Sequence, residues 1–129
     1  MHDQRPATIN RVAAGLLAVI AMVHLQQYLD FMSEIPTIGV LFLLTSAGGA
    51  GLALALLQPD KLVRITAAVA GTVMAIAALV SIVIALTGHL FGYAEPSLRV
   101  PVVIAIIAEA LALPALALVL ARELRASAD

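Results

Sequence analysis

Residues 65–86 read ITAAVAGTVMAIAALVSIVIAL, twenty-two residues with no charged side chain and no proline. About 20 apolar residues carry a helix across a hydrocarbon core of ~30 Å, so this stretch alone reads as a membrane span. The same pattern recurs to either side of it. Four runs, at about 11–31, 35–57, 65–86 and 100–121, take up most of the chain. Of its 129 residues 63% are hydrophobic and 12% are charged, against roughly 25% charged in a soluble domain. Two short tails and three loops remain outside the runs, which leaves no room for a soluble domain. The expected class is all-α, a single membrane domain over residues 1–129.

The breaks between runs carry turn chemistry. Residues 30–36 form a tight acidic turn in which Pro36 is predicted to occupy the first turn of the second helix, where its missing N–H costs nothing. Ser33 or Glu34 would serve the exposed amides there. Gln58-Pro59-Asp60-Lys61 makes a polar turn. The longest connection, residues 88–99, is broken by Gly88, Gly92 and Pro96. Pro101 starts the fourth run and Pro114 interrupts it. The tails at 1–9 and 122–129 are polar, and the second is expected to fray. An N-terminal Arg before an apolar run also describes a secretory signal. Here the run continues into His24-Leu25-Gln26-Gln27-Tyr28 with no small-residue cleavage site after it, so an uncleaved first span is expected.

Orientation follows from the basic residues. Arg5, Arg11, Lys61, Arg64, Arg122 and Arg125 fall on one side of the predicted spans, and Arg99 alone on the other. Short connections favour an up-down-up-down four-helix transmembrane bundle, with both termini cytoplasmic and the protein in the cell membrane. The other side carries Asp30, Glu34 and Glu95 and most of the aromatic residues: Tyr28, Phe31, Phe91 and Tyr93. Small residues recur at close-packing spacing, in Ala47-Gly48-Gly49-Ala50-Gly51 and in Ala67 with Gly71. They suit helix contact within one chain or between copies in a homo-oligomer.

Chemistry concentrates in one layer. A carboxylate near the bilayer centre costs ~2.5–3.5 kcal/mol on the insertion scale, and Glu109 lies roughly 13 Å below the outer end of the fourth span at 1.5 Å per residue. His24 lies roughly 10 Å deep on the first span by the same arithmetic. Gln27 and Tyr28 follow His24 at i+3 and i+4 on the same helix face. Thr45 and Ser46 of the second span and Ser81 of the third reach comparable depths. Ser46 and Ser81 are expected to bond their own i−4 carbonyls. Above this layer sits the loop Gly88-His89-Leu90-Phe91-Gly92-Tyr93-Ala94-Glu95-Pro96, which supplies His89, Phe91, Tyr93 and Glu95. It reads as an interfacial anchor or as a lid.

Three uses of the His24/Glu109 layer are open: a buried pair that fixes helix register, a pocket for a small ligand, lipid or cofactor, and a proton or ion relay. Histidine titrates near neutrality, which suits the last. Other chemistries find less support. The chain has no cysteine, hence no disulfide, thiolate site or thiol nucleophile. A haem between helices commonly takes two axial ligands, and only His24 lies inside a span. No metal-ligand spacing, phosphate loop or nucleophile–base pair is present, so no catalytic residues, metal or cofactor are assigned. A net charge of −1 offers no basic surface for nucleic acid.

The residues also carry a resemblance. His24-Leu25 near the end of the first span, Glu34, the entry Pro36-Thr37-Ile38-Gly39-Val40-Leu41-Phe42-Leu43-Leu44, the loop Gly88-His89-Leu90-Phe91-Gly92 with Glu95, and Glu109 together resemble a group of small, uncharacterised, actinobacterial-type four-span integral membrane proteins. The match covers most of the chain through short motifs. It implies the four-span architecture and points to the same histidine and glutamate, and it implies no activity. The expected function is therefore an accessory subunit of a larger membrane complex or a binder of a small ligand or lipid, not an enzyme. The alternative is a small proton-coupled transporter that uses His24 and Glu109.

Overall fold

The computed structural model describes residues 5–128. They form four α-helices: α1 (Thr8–Asp30), α2 (Ile38–Leu56), α3 (Lys61–Thr87) and α4 (Val100–Ala128), with a 3-10 turn at Met32–Glu34 between the first two. Each helix is long and apolar enough to cross a membrane, as a multi-pass membrane protein requires. Residues 1–4 and Asp129, the extremes of the two predicted tails, lie outside the described residues.

The helices form a ring of neighbours. α1 packs on α2 and α4, and α3 packs on α4 and more loosely on α2. The inward faces are legible as steps of three and four. On α1 the row is Asn10, Ala13, Leu17, Ile20, His24, Gln27, and on α4 it is Val102, Ala105, Glu109, Ala112, Leu116, Val119, Glu123. Alternating steps of three and four keep one seam facing a neighbouring helix. The α1 row is apolar in the middle and polar at its ends, and on α4 Glu109 and Glu123 flank the apolar Ala112, Leu116 and Val119.

Packing in the middle is close because the residues are small. In lipid the tails of the solvent are as apolar as leucine, so helices associate through van der Waals fit. Leu17, Ile20, Leu56, Leu116 and Val119 fill the centre among Ala13, Ala67, Ala68, Ala75, Ala112 and Ala115. A Cβ on Gly49 would lie 3.1 Å from the Leu17 carbonyl oxygen, so α1 and α2 meet backbone to backbone there. One on Gly71 would lie 3.2 Å from a Leu116 methyl group. Gly49 and Gly71 thus pack within the chain, whereas Gly51 has nothing within 4 Å.

Polar bonds tie the helices together at the end that carries the tails. Asn10 Nδ2 donates to the Leu56 carbonyl at 3.0 Å and joins the start of α1 to the end of α2. Arg64 grips Glu123 with two bonds, Nε to Oε1 at 2.5 Å and a terminal nitrogen to Oε2 at 3.0 Å, and joins the start of α3 to the last turns of α4. Asp60 caps α3 by accepting from the Val63 amide at 3.1 Å.

Three sequence expectations are corrected. α2 begins at Ile38, so Pro36 belongs to the preceding turn. The cap position is Thr37, at φ 68°, and neither Ser33 nor Glu34 caps the helix. The reason is proximity: the Gly39 Cα comes so close to the 3-10 turn that a Cβ would sit 2.7 Å from the Met32 carbonyl oxygen. That contact fixes where the helix can start. The fourth helix does not end near residue 121; α4 runs to Ala128. Arg64 holds Glu123, Arg125 Nε donates to the Ala121 carbonyl, and the Ser127 hydroxyl donates to the Glu123 carbonyl. Finally, Ser46 and Ser81 make no i−4 bond; Thr45 does, to Leu41 at 2.8 Å.

Candidate functional site

Beyond the packed middle, toward the 31–37 turn and the 88–99 loop, the four helices part around a cavity of about 190 Å³. Its walls are mainly apolar: Val23, Met32, Ile38, Leu41, Phe42, Met74, Ala77, Ala78, Ile82, Val102 and Ala105 contribute. Seven of the polar residues expected from the sequence line it as well. They are His24 and Gln27 from α1, Thr45 from α2, Ser81 from α3, Glu109 from α4, and Tyr93 and Glu95 from the loop.

Each helix delivers its polar group by the inward row it already uses for packing. Glu109 is 2% exposed, and no described residue hydrogen-bonds it; Oε2 is fully enclosed. His24 is 8% exposed, and its Nδ1 lies 2.7 Å from the Ile20 carbonyl oxygen. A carbonyl can only accept, so Nδ1 carries a hydrogen, and in the neutral ring Nε2 is left as an acceptor. The ring also tilts against Phe42 at a centroid distance of 4.9 Å. His24 and Glu109 face one cavity without bonding each other.

At the loop end of the cavity stands Arg99, which in the sequence reads only as an orientation signal. Arg99 holds Glu95 through Nε to Oε1 at 2.7 Å and a terminal nitrogen to Oε2 at 3.2 Å. Its other terminal nitrogen donates to Gln27 Oε1 at 2.8 Å, across to α1. The guanidinium stands 4.9 Å from the centre of the Phe31 ring. Tyr93 donates its hydroxyl to Glu95 Oε2 at 2.6 Å, and the Glu95 amide donates to the Ala85 carbonyl at 2.8 Å. Partial burial, followed by the bond to Glu95 and its charge, pushes the Tyr93 phenol up to about 12. The bond to Glu95 likewise raises the Arg99 guanidinium above its ordinary value. The signal that could have found Arg99 is its charge: among the lysines and arginines it is the lone cation at an acidic end, next to Glu95 in the same loop.

Two loop residues are displayed instead of enclosed. Leu90 and Tyr93 exchange backbone bonds of 2.7 and 2.9 Å around Phe91 (φ 47°) and Gly92 (φ 80°). Positive φ at both central positions is the tight hairpin turn that favours glycine or asparagine. Phe91 at such a φ is strained, and it is 66% exposed. His89 is exposed too. Neither lines the cavity, and nor does Tyr28, which is half-buried. The row of alternating three and four that places His24 and Gln27 inward reaches Phe31 next, and Tyr28 falls beside it.

Chemically, the site is an apolar chamber with one unpaired acid, one imidazole acceptor and two hydroxyls, beneath a charge-neutral latch. No group of three or more metal-ligating side chains occurs among the described residues. No family model matches the chain, and no curated protein or solved structure does either.

Proposed function

We propose that this is an integral membrane protein that binds a small, mostly apolar molecule in the cavity around Glu109. The observation that supports it is the combination of an apolar chamber with a buried carboxyl group that has no partner. A buried unsatisfied group costs about 1–3 kcal/mol, more when charged, and a cost kept near the bilayer centre is a mark of function. The helices would follow an up-down-up-down course in the cell membrane with both termini cytoplasmic, so that the Arg99 latch lies on the outer side. His24 and Glu109 would contact the polar part of the ligand, and Arg99, Glu95, Gln27 and Tyr93 would guard entry. A proton-coupled carrier would need a relay between His24 and Glu109, and the missing bond between them speaks for binding instead.

Native mass spectrometry of the protein, gently extracted from its own membranes, tests the proposal. A discrete additional mass that is lost in Glu109→Gln is the expected result. A co-purifying protein with no small ligand would instead make the chain an accessory subunit.

A further inference from the structure

The bonds already made inside the cavity restrict what can complement it. Each Arg99 nitrogen makes one bond, to Glu95 or Gln27, which engages three of its five N–H groups. The Tyr93 hydroxyl hydrogen goes to Glu95, the Thr45 hydroxyl hydrogen to Leu41, and the His24 Nδ1 hydrogen to Ile20. Gln27 Nε2 bonds Gln26 Oε1. Most of the donors lining the chamber are therefore engaged within the protein. What remains is largely acceptor: the Glu109 carboxyl group, His24 Nε2 and the lone pairs of Thr45 Oγ1. The Ser81 hydroxyl can serve either way.

Charge points in the same direction. Glu95 and Arg99 neutralise each other at the mouth. No cation among the described residues pairs with Glu109. Around Glu109 the chamber thus offers no unpaired cation and few free donors, and most of its remaining wall is apolar.

From this inventory we infer that the ligand class is a lipophilic amine, with its ammonium group on Glu109 and its apolar body among Phe42, Met74, Ala78 and Ile82. This rests on the cavity being a ligand site, as proposed above. An ammonium offers up to three donors and no acceptor, which matches a wall whose free polar groups are largely the acceptors of Glu109, His24 and Thr45. The resulting ammonium–carboxylate pair is neutral overall, as a site in hydrocarbon requires. A carboxylate ligand would meet Glu109 with like charge. An alcohol has one donor for several acceptors. The volume fits a single ring with a short chain, since an apolar cavity of about 150 Å³ holds benzene.

Three probes with similar bodies test the inference: 2-phenylethylamine, 2-phenylethanol and 3-phenylpropanoate, each titrated by calorimetry into the full-length protein in nanodiscs, with empty nanodiscs subtracted. The amine is expected to bind about tenfold or more tighter than the alcohol, because its bond to the carboxylate is charge-assisted, and the carboxylate probe weakest of all. Glu109→Gln is expected to erase the amine's advantage while the alcohol still binds. Ala78→Phe, which fills the chamber, should abolish all binding. If the alcohol or the carboxylate matches the amine, or if Glu109→Gln keeps the preference, the amine assignment is overturned while the ligand site stands. If no probe binds, or if Ala78→Phe binds as well as the unaltered protein, the cavity site falls with it.

Discussion

The two halves of this bundle are built from the same four helices and differ in what those helices do with their inward rows. In the tail-side half the apolar stretch of each row is closed, and space opens again at its polar end, beside Asn10 and Arg64. Leu17 meets Gly71, Leu116 and the backbone beside Gly49, and charged groups at that end pair across the bundle, Arg64 with Glu123, although the buried Asn10 Oδ1 has no partner among the described residues. Toward the 88–99 loop the same rows stay open around a cavity, and a buried acid has no partner. The contrast teaches that small residues alone do not decide how closely helices pack. Alanines occur in both halves, but Ala77 and Ala78 of α3 and Ala105 of α4 line a cavity, whereas Ala13, Ala68 and Ala112 belong to a core filled in by leucines. The tight half supplies stability, and the open half spends some of it on a site.

The largest effect should come from adding volume to the closed half. Gly49→Val places new carbons against the Leu17 carbonyl, a backbone atom that cannot swing away, so a loss of about 3 kcal/mol is expected at the top of the overpacking range. Ala78→Phe adds more atoms in the open half and should cost little, because a chamber is there to receive the ring. Steric-trap unfolding in bicelles would compare the two, and equal losses would erase the distinction between the halves. Next comes Arg64→Ala, which leaves Glu123 enclosed without its two charged bonds. A loss of about 1.5–3 kcal/mol is expected, with partial recovery in Arg64→Lys, since lysine cannot reproduce the two-pronged grip.

Glu109→Leu should act in the opposite sense. Removing the orphaned carboxyl group should raise stability by about 1 kcal/mol or more while it abolishes ligand binding, the usual trade at a functional site. A destabilised Glu109→Leu protein would mean that the acid holds the bundle together after all. The smallest effect concerns the latch. With the Tyr93 phenol raised from 10.0 to about 12, the folded loop holds that proton more firmly than the unfolded chain does. Its contribution is complete below pH 10 and is lost as pH rises toward 12. Tyrosinate absorbance in a Tyr28→Phe background should therefore show a late transition, and Glu95→Gln, which removes the neighbouring charge, should bring it to lower pH.

Much of this was legible before any coordinates. Four charge-poor runs fix four helices, because no other open-chain structure satisfies its backbone in hydrocarbon. Glu109 and His24 stand out by the cost of their position, and depth counting brought Gln27, Thr45 and Ser81 to the same layer. What depth counting could not do was separate facing a common space from touching. His24 and Glu109 were expected as a possible pair, and the Ile20 carbonyl takes the histidine instead. Arg99 went unrecognised as a site residue because a lone cation beside a span reads first as a topology signal. The start of α2 was misplaced because proline is favoured at a first helical turn in general, whereas here the close approach of Gly39 to Met32 decides. Tyr28 was grouped with His24 by an i+4 step, and the row's true sequence of steps leads past it.

The difference between the halves can be read directly, since the chain has no cysteine of its own. Single-cysteine proteins Ala78→Cys and Ala112→Cys, reconstituted in liposomes and treated with N-ethylmaleimide, place one thiol in the chamber and one in the packed middle. Labelling of Ala78→Cys, blocked by the refilling change Ala105→Phe, with Ala112→Cys inert, is the result this account predicts. Equal reactivity at the two positions, or none at Ala78→Cys, would contradict it.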